Sequence, residues 1–256
     1  MKPTDVSLLL HARAPALVAG DRRPLAVVHA MEEGMPGLRL AWAIDERGAL
    51  VPVQQDSERG SARRRSGDFL LLCNGDPEHA ITLSRSEIPG ALCPGGMPQF
   101  LVFAEWPLDT PGLDAAADVL EGVAETADSH WAHVTPNTVT EDFAEQTIHE
   151  SGGPSKTRRG LPMLKRSEHL NSPDIPRHLG WLNYWSAAAA RAIGFPDPAR
   201  DAELLARSRR TKSGGWVVRL TDAPLDLDNP AHLQALLGVY ERFPKIGGRA
   251  SSQRVA

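Results

Sequence analysis

The stretch that decides the fold reads QFLVFAEWPLDTPGLDAAADVLEGVAETADS and spans residues 99–129. Its first part, residues 99–108, is apolar at both odd and even positions, which predicts a strand buried on both faces in the middle of a sheet. Residues 110–129 have a different period. Leu113, Ala116 and Leu120 recur three or four residues apart, which predicts an amphipathic helix. The stretch therefore predicts a central strand followed directly by a surface helix.

The order of elements along the whole chain predicts an α+β fold, with a mostly antiparallel sheet packed against several helices. Further strands are predicted at residues 5–12, 38–45, 50–53, 68–74, 80–87 and 214–222. Further helices are predicted at residues 24–33, 180–194, 198–210 and 228–244. The polar segment 150–160 predicts a linker between an N-terminal α+β part, residues 1–150, and a C-terminal helix-rich part, residues 161–256. We expect the two parts to pack as one compact unit.

Charge is distributed unevenly along the 256 residues. The net charge is −4, but residues 1–85 carry 0, residues 86–155 carry −12 without one Lys or Arg, and residues 156–256 carry +8. In the predicted helix at 110–129 the acidic residues recur at helical spacing on one face. Two interpretations remain open: the acidic middle pairs internally with the basic last third, or it forms an anionic surface for a cationic partner.

Composition excludes several classes of protein. No run of about 18 apolar residues is present, so we expect no membrane-spanning helix. The N-terminal segment resembles a first strand more than a signal peptide, which predicts a cytoplasmic protein. The two cysteines, Cys73 and Cys93, have no metal-site spacing and are expected to be buried, unpaired side chains.

The sequence also lacks the known motifs for catalysis, metal binding and phosphate binding. His130, His133 and His149 do not have the spacing of a zinc site, and we expect them on the polar surface or at helix ends. The basic stretches 156–159 and 207–212 lack a nucleic-acid-binding motif. The sequence thus predicts no enzyme, no cofactor, no metal and no nucleic-acid partner.

Residues 179–195, LGWLNYWSAAAARAIGF, concentrate three of the eight Trp and Tyr residues of the chain. On a helix, Trp181, Tyr184 and Trp185 share one face. Such aromatic side chains are either a core anchor that fixes the element against the sheet, or a recognition face for a partner protein.

This stretch resembles part of a known protein family. The stretches GLPMLKRSEHLNSPDIPRHLGWLNYWSAAAARAIGFPD and GGWVVRLTDAPLDLDNPAHLQAL, with APALVAGDRRPLAVVHAMEEGMPGLRLAW and AADVLEGVAE, resemble an uncharacterised, largely myxobacterial protein family. The GW-x-x-YW arrangement, followed by a late Gly-Trp strand, is more distantly similar to the immunity protein fifty-two family. That resemblance implies a protein that neutralises a polymorphic toxin, typically a nuclease, by binding it.

The sequence-based hypothesis is therefore an immunity protein whose partner is a cognate toxin. The predicted partner-binding residues are Asp114, Asp118, Glu121, Glu125, Asp128, Trp181, Tyr184 and Trp185. The alternative is an enzyme or small-molecule binder with a site assembled from loops, such as Arg63–Arg65 with His130 or Glu105. A structural partner protein without any toxin is the third possibility.

Overall fold

A computed structural model describes residues 6–53, 55–61, 69–148 and 158–249, and within these ranges the chain forms ten strands in one sheet. The strands are β1 Ser7–Pro15, β2 Trp42–Ile44, β3 Leu50–Pro52, β4 Leu71–Cys73, β5 Thr82–Ile88, β6 Gln99–Pro107, β7 Trp131–Pro136, β8 Leu182–Trp185, β9 Ser208–Arg210 and β10 Trp216–Arg219. The helices are α1 Arg23–Gly34, α2 Asp56–Ser61, α3 Thr110–Thr126, α4 Asn137–Ile148, α5 Ala187–Ile193, α6 Ala202–Ala206 and α7 Pro230–Arg242.

The sheet has the strand order β3-β2-β4-β5-β6-β1-β7-β8-β10-β9, and the described pairs are antiparallel. The predicted α+β class with a mostly antiparallel sheet and several helices is confirmed. The longest strands, β1 and β6, pair with each other in the middle of the sheet, as the apolar residues on both faces of 99–108 predicted. Strand β7, before the proposed linker, pairs with β8 after it.

Helices α1 and α3 cover one side of the sheet, which we call the first face. Even-numbered residues of β1 and β6 point toward these helices; Trp106, for example, donates from Nε1 to the carbonyl of Gly112 in α3 at 3.2 Å. The two helices approach closely, because a Cβ at Gly34 of α1 would lie 2.8 Å from Val119 of α3. Asp109 caps α3 by accepting from the backbone N–H of Gly112 at 2.8 Å.

The opposite side, the second face, carries the odd-numbered residues of β1, β6 and β7. It is covered by α4, by the C-terminal part of α7 and by the irregular segment 161–179. Phe143 of α4 contacts the rings of His178 and of Tyr240 in α7. The hydroxyl of Tyr240 in turn accepts from the backbone N–H of Leu179 at 3.1 Å. These contacts place a polar row of the sheet beneath an apolar cover.

Several sequence predictions hold and others are wrong. The strands near 5–12, 50–53, 80–87 and 99–108 and the helices near 24–33, 110–129 and 228–244 are confirmed. The helix predicted over 180–194 is wrong in its first half, since residues 182–185 form β8 and only Ala187–Ile193 are helical. The helix predicted over 198–210 covers only Ala202–Ala206, and its N-cap residue is Asp201. Strands β7 and β9 and helices α2 and α4 were not predicted.

Two smaller expectations can also be checked. Cys73 and Cys93 are both buried and free, as predicted. Within the described ranges, none of the helices is both long enough and apolar enough to cross a membrane.

Candidate functional site

Four of the five predicted carboxylates lie on α3, and the fifth, Asp128, lies in the turn after it with a positive φ of 55°. Asp114 and Asp128 are exposed and have no ion-pair partner among the described residues. Asp118 is also exposed but accepts from Nη2 of Arg209 at 2.7 Å. Glu121 binds Nε of the same Arg209 at 2.6 Å. One guanidinium of β9 therefore serves two carboxylates of the helix.

Glu125, the remaining carboxylate, holds α3 to the turn between β9 and β10. It accepts from the hydroxyls of Tyr184 at 2.7 Å, Thr211 at 2.8 Å and Ser213 at 2.5 Å. Burial by itself raises the pKa of Glu125, but these donors outweigh it, so its pKa lies below the usual value. Glu125 is a structural contact, and the prediction that the whole stripe faces solvent is wrong for Glu121 and Glu125.

The internal pairing extends beyond α3. Asp142 of α4 binds Nε of Arg159 at 3.2 Å, and the same arginine binds Asp228 at 2.6 Å. Part of the negative charge of residues 86–155 is therefore neutralised by arginines of the last hundred residues. The interpretation of internal pairing holds for these carboxylates, whereas Asp114 and Asp128 are exposed without an ion-pair partner in the described part of the chain.

The three predicted aromatic contact residues belong to the core. Trp181, Tyr184 and Trp185 are each at most 4% exposed. Trp181 donates from Nε1 to the carbonyl of Thr221 at 2.8 Å. Trp185 packs edge-on against Phe195 and Phe243, with ring centroids 5.1 and 5.6 Å away. Their burial supports the core-anchor interpretation and removes them from the surface that a partner could contact.

The alternative site is not assembled in the described structure. Arg63–Arg65, like His149, lie outside the described residues. His130 contacts Asp174 at 3.1 Å through Nδ1, whereas the carboxylate of Glu105 accepts from Ser7 Oγ at 2.7 Å. Each of these two side chains is engaged by a different neighbour.

A cleft on the second face was missed by the sequence analysis. We call it the histidine cleft, because His11 of β1, His133 of β7 and His178 face into it, with ring centroids 5.7 Å apart for the first two and 6.0 Å for the last two. Its volume is about 240 Å³. The remaining lining residues come from β1, β6, β7, α4 and segment 163–179, and are Leu9, Phe103, Thr135, Val139, Thr140, Phe143, Ala144, Met163, Leu164, Arg177 and Leu179.

The imidazoles of the cleft are held in the neutral form. Desolvation, then the neighbouring His133 and Arg13, lowers the pKa of His11 to about 3. Burial and Arg13 lower the pKa of His133 to about 4, and burial with Arg177 places that of His178 well below its usual value. Among the described residues no group of His, Cys, Asp and Glu side chains has an arrangement that could hold a metal ion. The rings can therefore donate and accept hydrogen bonds at neutral pH without carrying charge.

Two polar atoms in this cleft are buried without a partner. His133 is 5% exposed and Thr135 is 2% exposed, and neither His133 Nδ1 nor Thr135 Oγ1 has a hydrogen-bond partner within the described part of the chain. A signal for this site existed in the sequence. In WAHVT, residues 131–135, His133 alternates with small and aliphatic residues at the period of a strand, which places it on the same face as Thr135.

Comparison with known proteins gives a family. The model of a domain of unknown function, DUF5953, matches residues 19–251. The chain belongs to the DUF5953 family. A T6SS protein of Pseudomonas aeruginosa has a similar structure, with a TM-score of 0.58 and 12% sequence identity over 93% of this chain and 73% of that chain. At this identity the likeness concerns the fold. The search of curated proteins found no match.

Proposed function

We propose that the protein is an immunity protein that binds a cognate toxin, most simply a nuclease, and neutralises it by stoichiometric protein–protein inhibition. The observation that carries this proposal is the solvent side of α3. Asp114 and Asp118 are exposed there on a helix that is anchored on its other side, and Asp128 is exposed in the turn directly after this helix. A fixed array of carboxylates suits a protein that uses a cationic surface to hold phosphates.

The anchoring of α3 is part of this proposal. Val119, Leu120 and Val123 of the helix are fully buried against the sheet and α1. The contacts of Glu125 and Arg209 attach the same helix to the C-terminal third. A surface that does not reorganise on binding avoids the entropy cost of ordering flexible groups. The proposed contact surface therefore consists of the three aspartates, with Glu121 and Glu125 supporting it.

Two further observations are compatible with a role in a toxin system. The GW-x-x-YW residues, on which the resemblance to the immunity protein fifty-two family rests, form the core, so the resemblance concerns residues that determine the fold. The structural neighbour is a T6SS protein. The proposed mechanism requires binding only and assigns no catalytic residue.

The first test is rescue. The protein encoded beside this chain's gene is expressed in a bacterial host, with and without this chain. We expect growth arrest without the chain, restored growth with it, and co-purification of the two proteins in a one-to-one complex. If the neighbouring protein is harmless, or still toxic in the presence of this chain, the immunity proposal is wrong.

The second test asks whether the toxin binds at the exposed aspartates. Asp114→Asn, Asp118→Asn and Asp128→Asn together remove three negative charges from the solvent side of α3 and the turn after it. The matched control is Glu46→Gln, Glu78→Gln and Glu241→Gln, which removes three charges from exposed positions elsewhere. We expect the α3 variant to slow toxin association by about tenfold or more at low salt, measured by surface plasmon resonance, because steering acts mainly on the association rate. Equal slowing by both variants would contradict the assignment of the contact to α3.

A further inference from the structure

We propose that the histidine cleft binds a small carboxylate with an aromatic or branched aliphatic body. The site lies on the second face of the sheet, opposite the face that α3 covers, and this inference does not depend on the proposed function. It rests on four observations: the size of the cleft, its apolar walls, its unpartnered polar atoms and the sign of the charges around it.

The volume of the cleft and the chemistry of its walls determine which ligand body fits. An apolar cavity of about 150 Å³ accommodates a benzene molecule. The cleft, at about 240 Å³, has room for such a ring with a short polar arm. Phe103 and Phe143 contribute aromatic walls, and Leu9, Leu164 and Leu179 contribute aliphatic ones. Met163 is 42% exposed, so this lining residue lies at a solvent-accessible rim.

The unpartnered polar atoms determine which head group the ligand needs. His133 Nδ1 and Thr135 Oγ1 come from alternate residues of β7 and therefore lie on the same face of the sheet. Burying such groups without a hydrogen bond is unfavourable, so a ligand that satisfies them gains affinity. A ligand with two oxygens on one carbon can accept from both groups. The side chains of His11 and His178 line the same cleft.

The charges around the cleft select an anion of low charge. Arg177 lines the cleft, and its Nε donates to the backbone carbonyl of Lys165 at 3.1 Å, which fixes the guanidinium in the wall. Arg13 lies on the same face of β1, two residues beyond His11. The lining residues include no Asp or Glu. One lining guanidinium in a cleft whose other lining side chains are neutral suits a monoanion, whereas a phosphate dianion would lose more hydration than this site replaces.

The neutral state of the imidazoles fits the same ligand. Desolvation is the largest cause of the lowered pKa of His11, and His133, Arg13 and Arg177 lower it further, so two guanidinium groups lie near this ring. Glu105, on the same face of β6, already accepts from Ser7 Oγ at 2.7 Å. A bound carboxylate would therefore add negative charge where the described neighbours supply mainly positive charge and neutral donors.

The test compares two probes of equal shape, phenylacetate and its neutral counterpart phenylacetamide, by isothermal titration calorimetry and by chemical-shift titration. We expect saturable binding of phenylacetate with a Kd of about 1 mM or lower, and binding of phenylacetamide that is about tenfold or more weaker. The amide signals that shift should include those of residues 133–135 and 177–179. Equal binding of both probes, or no saturable binding of phenylacetate, would overturn the proposal.

Two variants test the assigned residues. Arg177→Gln should weaken phenylacetate about tenfold while changing phenylacetamide less than about threefold, because only the charged contact is lost. Thr135→Val keeps the shape of the side chain and removes a buried hydroxyl without a partner, so it should fold normally. It should still weaken phenylacetate about threefold or more. The control is Arg191→Gln, on α5. If neither variant weakens phenylacetate more than this control does, the site is elsewhere and the proposal is wrong.

Discussion

Glu125 differs from the other carboxylates of α3 because three hydroxyls and one backbone N–H converge on it. Its neighbour one turn earlier, Glu121, makes a single ion pair with Arg209, whose side chain is 47% exposed. The two glutamates share a helix, a residue type and a predicted role. They differ in burial and in the number of donors, which makes them a matched pair for measuring what each contact contributes.

We expect Glu125→Gln to lower the free energy of unfolding by about 1–3 kcal/mol, because hydrogen bonds to a charged acceptor are the stronger kind. Glu121→Gln should cost less than about 1 kcal/mol, since a partly exposed ion pair contributes little. Urea denaturation followed by circular dichroism measures both values. Similar losses for the two variants would show that Glu125 is not the main attachment of α3 to the β9–β10 turn.

At this scale the sequence predicted some residue roles and missed others. Asn229 precedes Pro230 at the start of the last helix, and its side chain accepts from the backbone N–H of Ala231 at 2.9 Å. Capping depends on a few adjacent residues, so local sequence is sufficient to predict it. His133 was expected on the surface. Its burial follows from strand pairing with residues more than a hundred positions away, opposite His11 in β1, and local sequence does not contain that information.

Strand β8 shows how an element was assigned to the wrong class. The run Leu182–Trp185 is buried on both faces between β7 and β10. Continuous apolar runs of this length suit a buried strand as well as a helix. The alanines favoured a helix, but that helix starts only after Ser186, whose Oγ accepts from the backbone N–H of Ala189 at 3.1 Å. The tertiary position of the segment, and not its propensity, determined the outcome.

The close packing of β7 and the start of β8 leads to a prediction at Gly180. A Cβ there would lie 2.7 Å from the carbonyl oxygen of Val134 and 3.0 Å from Cβ of His133. We expect Gly180→Ala to lower the free energy of unfolding by about 1–3 kcal/mol, because the strand backbones must move apart. Thermal and urea denaturation measure the change.

The matched control for this element is Gly238 in α7, where an added Cβ meets no atom within 4 Å. Gly238→Ala should raise stability by about 0.5–1 kcal/mol, because alanine loses less conformational freedom than glycine in a helix. If both substitutions change stability in the same direction, the close approach at Gly180 does not limit the packing of the sheet.

For the whole molecule, the ten-stranded sheet separates two surfaces. The exposed aspartates of α3 lie over the first face, and the histidine cleft lies on the second. The uneven charge of the sequence predicted the first surface, although Arg209 neutralises part of it. The cleft needed the assembled sheet, because β1, β6 and β7 come together there only through long-range pairing. A ligand in the cleft should therefore leave the α3 surface accessible.

The buried histidines predict how stability depends on pH. The pKa values of His11 and His133 are lowered to about 3 and about 4 in the folded protein, and that of His178 is also lowered. In the unfolded chain a histidine titrates near 6.5. Between pH 6.5 and 5 the unfolded chain therefore binds protons that the folded protein excludes, so stability falls as the pH falls. Carboxylates of both states remain largely ionised over this window.

Each such histidine contributes a slope of up to about 1.4 kcal/mol per pH unit, so three approach about 4 kcal/mol per unit. Urea denaturation at pH 7, 6.5, 6, 5.5 and 5 measures the slope. His11→Gln should reduce the slope by up to about 1.4 kcal/mol per pH unit, because one histidine fewer takes up a proton on unfolding. His79→Asn, at an exposed position, is the control and should leave it unchanged. A flat profile from pH 6.5 to 5 would mean that the three imidazoles become protonated in the folded protein as readily as in the unfolded chain. The three rings would then be protonated without loss of the folded structure.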